Sequence, residues 1–152
     1  MNSIEAFSKA CRYCAYQERT QQQVREKLSE WGLWDDAIEE TIAKLIKENF
    51  INEERFAKAY ASGKFRQLKW GRLKIKQGLK QHGLTDYCIK KGMAEIEDEA
   101  YVNTIEKLIH QKISTLKSEK SLLKRKQKLV AFLVSKGFER DIIFDLIKPH
   151  FD

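Results

Sequence analysis

A chain of 152 residues can bury about two-thirds of its unfolded surface, so neither disulfides nor metals are needed to hold a fold. With 42% apolar and 34% charged residues the composition excludes a disordered chain, and the longest apolar run, Leu129 to Val134, falls far short of the roughly 20 residues of a membrane helix. Net charge is +7 and uneven: residues 1–50 carry seven Lys/Arg against nine Asp/Glu, residues 51–100 eleven against seven, and residues 101–152 eleven against six. That excess points to a polyanion or an acidic protein surface as partner. Three cysteines, and an N-terminus with neither a basic nor an apolar leader region, lead to the expectation of a reduced, cytoplasmic chain.

One proline (Pro149) and four valines leave little material for strands, whereas helical spacing recurs throughout. Ile4, Phe7, Cys11 and Cys14 define an apolar face of a first helix, 4–17. Thr20 and Gln23 have capping-box spacing and open a second, 20–31. Ile38, Ile42, Leu45 and Ile46 mark a third, 35–48. Asn52 can cap a fourth, 52–66, with Glu53 and Glu54 in its first turn. Helices at 70–82 and 85–97 follow, then 98–117, on the row Tyr101, Ile105, Leu108, Lys112 and Leu116, and finally 121–136 and 139–147.

Gly32, Gly83 and Gly137 each follow an amphipathic stretch, where a left-handed helix terminus is expected. Aligning the chain on them exposes a repeat. Eight residues before the glycine stand Val24, Ile75 and Leu129, and four before it Leu28, Leu79 and Leu133. One after come Leu33, Leu84 and Phe138; six after, Ile38, Ile89 and Ile143; ten after, Ile42, Met93 and Ile147. The expected fold is all-α: three tandem three-helix repeats, 1–50, 51–97 and 98–152, stacked into an elongated, curved molecule. Neither junction has the composition of a flexible linker.

Catalytic patterns are missing. His82, His110 and His150 share no spacing, no Gly-rich phosphate loop occurs, and the acidic pairs sit in helix first turns or on exposed faces. Cys11 and Cys14 are formally C-x-x-C but fall on an apolar face, where thiols behave as small hydrophobes. Trp31 and Trp34, flanking Gly32, read as packing around that turn. No enzyme, cofactor or metal is expected.

The basic segments are the candidate site. Lys69, Arg72, Lys76 and Lys80 form one helical stripe, joined by Lys74; Phe65 and Trp70 interleave and suit either base stacking or the core. A second group is Lys117, Lys120, Lys124, Arg125, Lys126 and Lys128, with Glu119 its one counter-charge; of these Lys124, Arg125, Lys126 and Lys128 are the candidate site. Against the aligning glycines, Arg72 matches Lys126 and Lys74 matches Lys128, so two repeats present cations from equivalent places. The plain alternative is a solvated lysine-rich surface.

Several stretches resemble the RecX family, bacterial modulators of the RecA recombinase. Arg19-Thr20 with Val24, Lys27 and Leu28 is similar to the family's R-x-x-S-x-x-E-L-x-x-K-L. The run from Glu48 to Ala57, around Phe50-Ile51-Asn52, resembles its G-Y-[IL]-[DN]-D-x-R-[FY]-A junction. Gly71 to Ile75 with Leu79 and Gly83-Leu84 resembles its second unit, and Phe132 to Phe138 its third. Val24, Asn49, Glu53 and Gly78 depart from the usual Leu, Gly, Asp and charged residue. The resemblance implies a non-enzymatic regulator lying in the groove of a RecA filament on single-stranded DNA, blocking strand exchange, with some direct affinity for single- or double-stranded DNA. A monomer with no membrane association is expected. Two alternatives remain at this level: a helical nucleic-acid-binding protein that does not act through RecA, and a protein adaptor that needs no DNA.

Overall fold

The computed structural model describes residues 1–151. Among them every regular element is helical: α1 (Ser3–Tyr16), α2 (Gln21–Glu30), α3 (Asp35–Lys47), α4 (Glu53–Leu68), α5 (Arg72–Gln81), α6 (Asp86–Met93), α7 (Asp98–Thr115), α8 (Leu122–Ser135) and α9 (Arg140–Phe151). Each expected helix is present. Two ends differ by a full turn. α6 stops early because the chain turns to bury Ile96, whose N–H donates to the Met93 carbonyl at 3.1 Å. α9 runs on through Pro149, which lies in the last turn, where little helix follows for its missing N–H to disrupt.

Local chemistry fixes the ends. The Gln23 N–H donates to Thr20 Oγ1 at 3.1 Å while the Thr20 N–H donates to Gln23 Oε1 at 3.0 Å, closing the capping box. Asn52 Oδ1 accepts from the Arg55 N–H at 2.9 Å at the start of α4. Gly32, Gly83 and Gly137 take φ of +89°, +76° and +95°, the left-handed region open to glycine at little cost. Of the apolar positions aligned on them all are buried except Met93, which is half-buried. α5 continues through the buried Gly78.

The chain forms two compact units, and the boundaries between them fall inside α4, inside α5 and before the last residue of α6. One comprises Met1–Tyr60 with Leu79–Gly92. Its α1–α3 core gathers Ala6, Ala10 and Cys14 against Val24, Leu28, Ile38, Ile42 and Leu45. The inward stripe of α1 is therefore Ala6–Ala10–Cys14, with Phe7 and Cys11 at its margin. Ile4, expected on this face, lies just beyond its edge and is 83% exposed. Burial pushes the Cys14 thiol up to about 11 and raises that of Cys11. Asn49 adopts φ +64°, and Arg55 holds the turn it makes by donating to the Asn49 and Phe50 carbonyls while pairing with Glu18 at 2.6 Å. Trp31 packs edge-on against Tyr13. Trp34 does not pack as expected: it caps α3 in extended backbone, Leu33 takes the inward place, and the indole is 84% exposed.

The other unit comprises Ala61–Gly78 and the chain from Met93 onward. α7, α8 and α9 pack together over Tyr101, Ile105, Ile109, Leu129, Leu133, Phe138, Ile143 and Ile147. Ala61 and Phe65 of α4 and Ile75 of α5 are buried in the same unit. Phe65 meets Tyr101 with ring centroids 5.9 Å apart, so it belongs to the core and is not available to a base. Gly71 rests directly on Gly137: its N–H donates to the Lys136 carbonyl at 2.7 Å, and a Cβ at position 71 would fall 2.3 Å from the Gly137 carbonyl carbon.

Candidate nucleic-acid interface

Contact between Gly71 and Gly137 seats the first turn of α5 at the C-terminal end of α8, and Tyr101 secures it there. The Arg72 N–H donates to the Tyr101 hydroxyl oxygen at 2.9 Å, and that hydroxyl donates to the Glu139 carboxylate. The Arg72 guanidinium lies 3.9 Å over the Tyr101 ring and pairs with Asp98 at 2.6 Å and Glu139 at 3.4 Å. Burial, then the bond to Glu139, raises the Tyr101 phenol far above its ordinary value, so it stays a neutral donor. Arg72 therefore does not extend freely into solvent, although it lies on the basic stripe. Two carboxylates and a ring hold it half-buried.

The other cations of this stripe differ among themselves. Lys69 closes α4 in the left-handed region (φ +57°), with the Trp70 N–H reaching back to the Lys64 carbonyl at 3.2 Å, and its ammonium donates to the Arg66 carbonyl at 2.6 Å. Lys74 is half-buried with its Nζ 4.6 Å over Trp70, which Lys64 also approaches at 5.1 Å. Trp70 thus has two ammonium groups over its ring, which is not left open as a stacking surface. Lys76 is exposed, with no ion pair among the described residues. Lys80 is exposed as well, on the part of α5 that belongs to the first unit.

The candidate residues of the second group sit in the first turns of α8, roughly 18 Å along the helix from Lys136, where α5 begins. Arg125 turns back to donate to the Glu119 and Lys117 carbonyls, fixing the α7–α8 turn. Lys128 pairs with Glu119 at 2.9 Å, and this bond, followed by the Ser121 N–H, keeps the Glu119 carboxyl below its usual range. Lys126 is half-buried at the rim of a groove between α8 and α9. Lys124 is exposed; its backbone N–H takes the Ser121 cap at 3.3 Å while its ammonium makes no ion pair among the described residues. Equivalent repeat positions therefore hold unlike environments: Arg72 is clamped by carboxylates and Lys126 edges a groove, while Lys74 covers an indole and Lys128 neutralises a glutamate. Of the cations on α5 and α8, Lys76, Lys80 and Lys124 are exposed with side chains in no ion pair or hydrogen bond among the described residues.

Three features had no clear signal in spacing. The His110 and His150 rings meet edge to face, centroids 5.1 Å apart, across α7 and α9. Among the described residues no three His, Cys, Asp or Glu side chains group as a metal ion needs. Trp34 stands out in solvent, and the α8–α9 groove exposes Leu123 and Phe144. Among the described residues no helix is long and apolar enough to cross a membrane.

Comparison with known proteins agrees along the length of the chain. Family models described as the first, second and third three-helix domains of RecX match residues 6–45, 52–93 and 98–147. The chain is similar to a regulatory protein RecX of Clostridium perfringens, 31% identical over 146 residues, which cover 95% of this chain and 68% of that one. A regulatory protein RecX of Bacillus cytotoxicus is 32% identical over 139 residues, 91% of this chain and 51% of its relative, so the chain spans about half of that protein. The crystal structure of RecX from Lactobacillus salivarius superposes with a TM-score of 0.86 at 27% identity, covering 97% of this chain and 95% of the other.

Proposed function

The chain belongs to the RecX family of regulatory proteins, and from that premise we propose that it modulates the RecA recombinase, inhibiting it from within the groove of the RecA filament on single-stranded DNA. Recombination, DNA repair and the SOS response are the processes such an inhibitor affects. Its partners are the filament and, through phosphates, the DNA strand itself.

The observation that supports the step from family to mechanism is that three lysines on α5 and α8, Lys76, Lys80 and Lys124, are exposed and in no ion pair among the described residues. Ammonium groups held on helices attract a polyanion as point charges, without the bidentate geometry that reads base edges. This favours a partner met through its backbone charge over one met through its sequence. Arg72 and Arg125 serve differently: they hold α5 and the α7–α8 turn, and so position the lysines.

The test is strand exchange by the host recombinase with and without the protein. Inhibition at protein amounts well below the DNA-binding saturation of the recombinase is expected, together with tighter binding to the filament than to bare single strands. A protein that binds bare DNA as tightly as filament, and leaves strand exchange untouched, would be a DNA-binding protein acting without RecA.

A further inference from the structure

Two apolar features take no part in anything described above. One is the groove between α8 and α9, a space of about 570 Å³ lined by Leu123, Val130, Val134 and Phe144, with Lys126 and Arg140 as its charges. Leu123 is 66% and Phe144 46% exposed, and no acidic side chain lines the groove. The other is Trp34, 84% exposed where a tryptophan is ordinarily mostly covered, at the start of α3. Asp35 and Asp36 follow it, exposed, in the first turn of that helix.

We propose that the α8–α9 groove receives the Trp34–Asp36 turn of a second copy of this chain. The two surfaces complement each other in polarity and in charge. An indole needs a concave apolar seat, and Leu123, Val130, Val134 and Phe144 make one. Asp35 and Asp36 need cations beside that seat, and Lys126 and Arg140 are there. From Leu123 to Val134 the wall of the groove is about 16 Å long, room for the indole and one helical turn. Charge along the chain has the same sense, since residues 1–50 hold more Asp/Glu than Lys/Arg and residues 101–152 the reverse. Because each copy offers both surfaces and they differ, the contact is heterologous, not a symmetric patch against itself. A single side chain and its turn bury less than a standard interface, so the association is weak, concentration-dependent and weakened by salt. It does not depend on RecA.

Sedimentation velocity from micromolar to near-millimolar protein tests this, on wild type, Trp34→Ala and Phe144→Asp, with thermal melts as folding controls. Both substitutions change exposed side chains and leave the fold intact. Wild type should sediment faster as concentration rises, more so at low salt, and each variant alone should associate at least tenfold more weakly. An equimolar mixture of the two variants should recover a species of two copies and no larger, since Trp34→Ala retains a groove and Phe144→Asp retains the indole. Wild type that stays monomeric throughout, Trp34→Ala that associates like wild type, or a mixture that fails to associate would each overturn the proposal. A groove made for some other partner falls under the first of these outcomes.

Discussion

Arg72 separates structure from binding, and its replacement is the most informative single change in the candidate interface. Its side chain is 25% exposed, stacked on Tyr101, and paired with Asp98 and Glu139. Asp98 is 96% exposed, so that pair is worth only tenths of a kcal/mol. Glu139 is 24% exposed and the ring contact is largely covered; together these contribute about 1–2 kcal/mol. Arg72→Ala should therefore cost about 2 kcal/mol. Arg72→Glu adds repulsion from two carboxylates, up to about 4 kcal/mol for one pair near 4 Å at an effective dielectric of 20, much of it relieved as the new side chain swings outward. A total of about 3–4 kcal/mol is expected, a fall of roughly 10 °C in Tm. Lys76→Glu, one turn along α5 in open solvent, should stay within about 0.5 kcal/mol of wild type. Urea and thermal melts of the three variants measure these differences. Arg72→Ala within about 0.5 kcal/mol of wild type, or Lys76→Glu as damaging as Arg72→Glu, would refute the reasoning. The consequence for function is direct: weaker DNA binding by an Arg72 variant cannot be taken as a lost phosphate contact.

Lys69→Gly should raise stability by up to about 1 kcal/mol in urea melts, because a β-carbon in the left-handed region is strained there and glycine is not. Gly71→Ala should destabilise by roughly 1–3 kcal/mol, since its Cβ would meet backbone atoms of Gly137 that cannot move aside, and a thermal melt measures it. The Cys14 thiol titrates near 9.0 when unfolded and at about 11 when folded, so the folded state holds its proton more tightly; that contribution is complete below pH 9 and is lost as pH rises to 11, at most about 2–3 kcal/mol. Cys14→Ala should remove this part of the alkaline decline in a pH series of melts.

What the spacing of residues made legible is what local physics governs. The three glycines needed for left-handed turns, the Thr20–Gln23 box and the Asn52 cap are each decided within four residues, and each formed as expected. The apolar columns aligned on the glycines became core because periodicity fixes a helix face. Periodicity fixes its centre less well: Ile4 and Ala6 both fit a helical row on α1, and the smaller residue went inward. The candidate interface was legible only as a list of cations. Which of them remain available depends on partners far along the chain, Glu139 for Arg72 above all, and no spacing rule reports a pairing across 67 residues. Trp31 and Trp34 likewise look equivalent around Gly32, yet only Trp31 finds an aromatic neighbour, Tyr13 on α1.

The most direct test of RecA regulation through a lysine surface is a salt series of binding to DNA-loaded RecA filaments, for wild type and for the triple variant Lys76→Gln, Lys80→Gln, Lys124→Gln. All three side chains are exposed and without ion pairs among the described residues, so the variant should melt like wild type. Neutralising three phosphate contacts on single-stranded DNA should lower the logarithmic salt slope by about 0.7 per contact, roughly 2 in total, with inhibition of strand exchange weakened in parallel. A triple variant that binds with unchanged affinity and unchanged slope would contradict the lysine surface, and wild type that fails to bind the filament at moderate salt would contradict regulation of RecA itself.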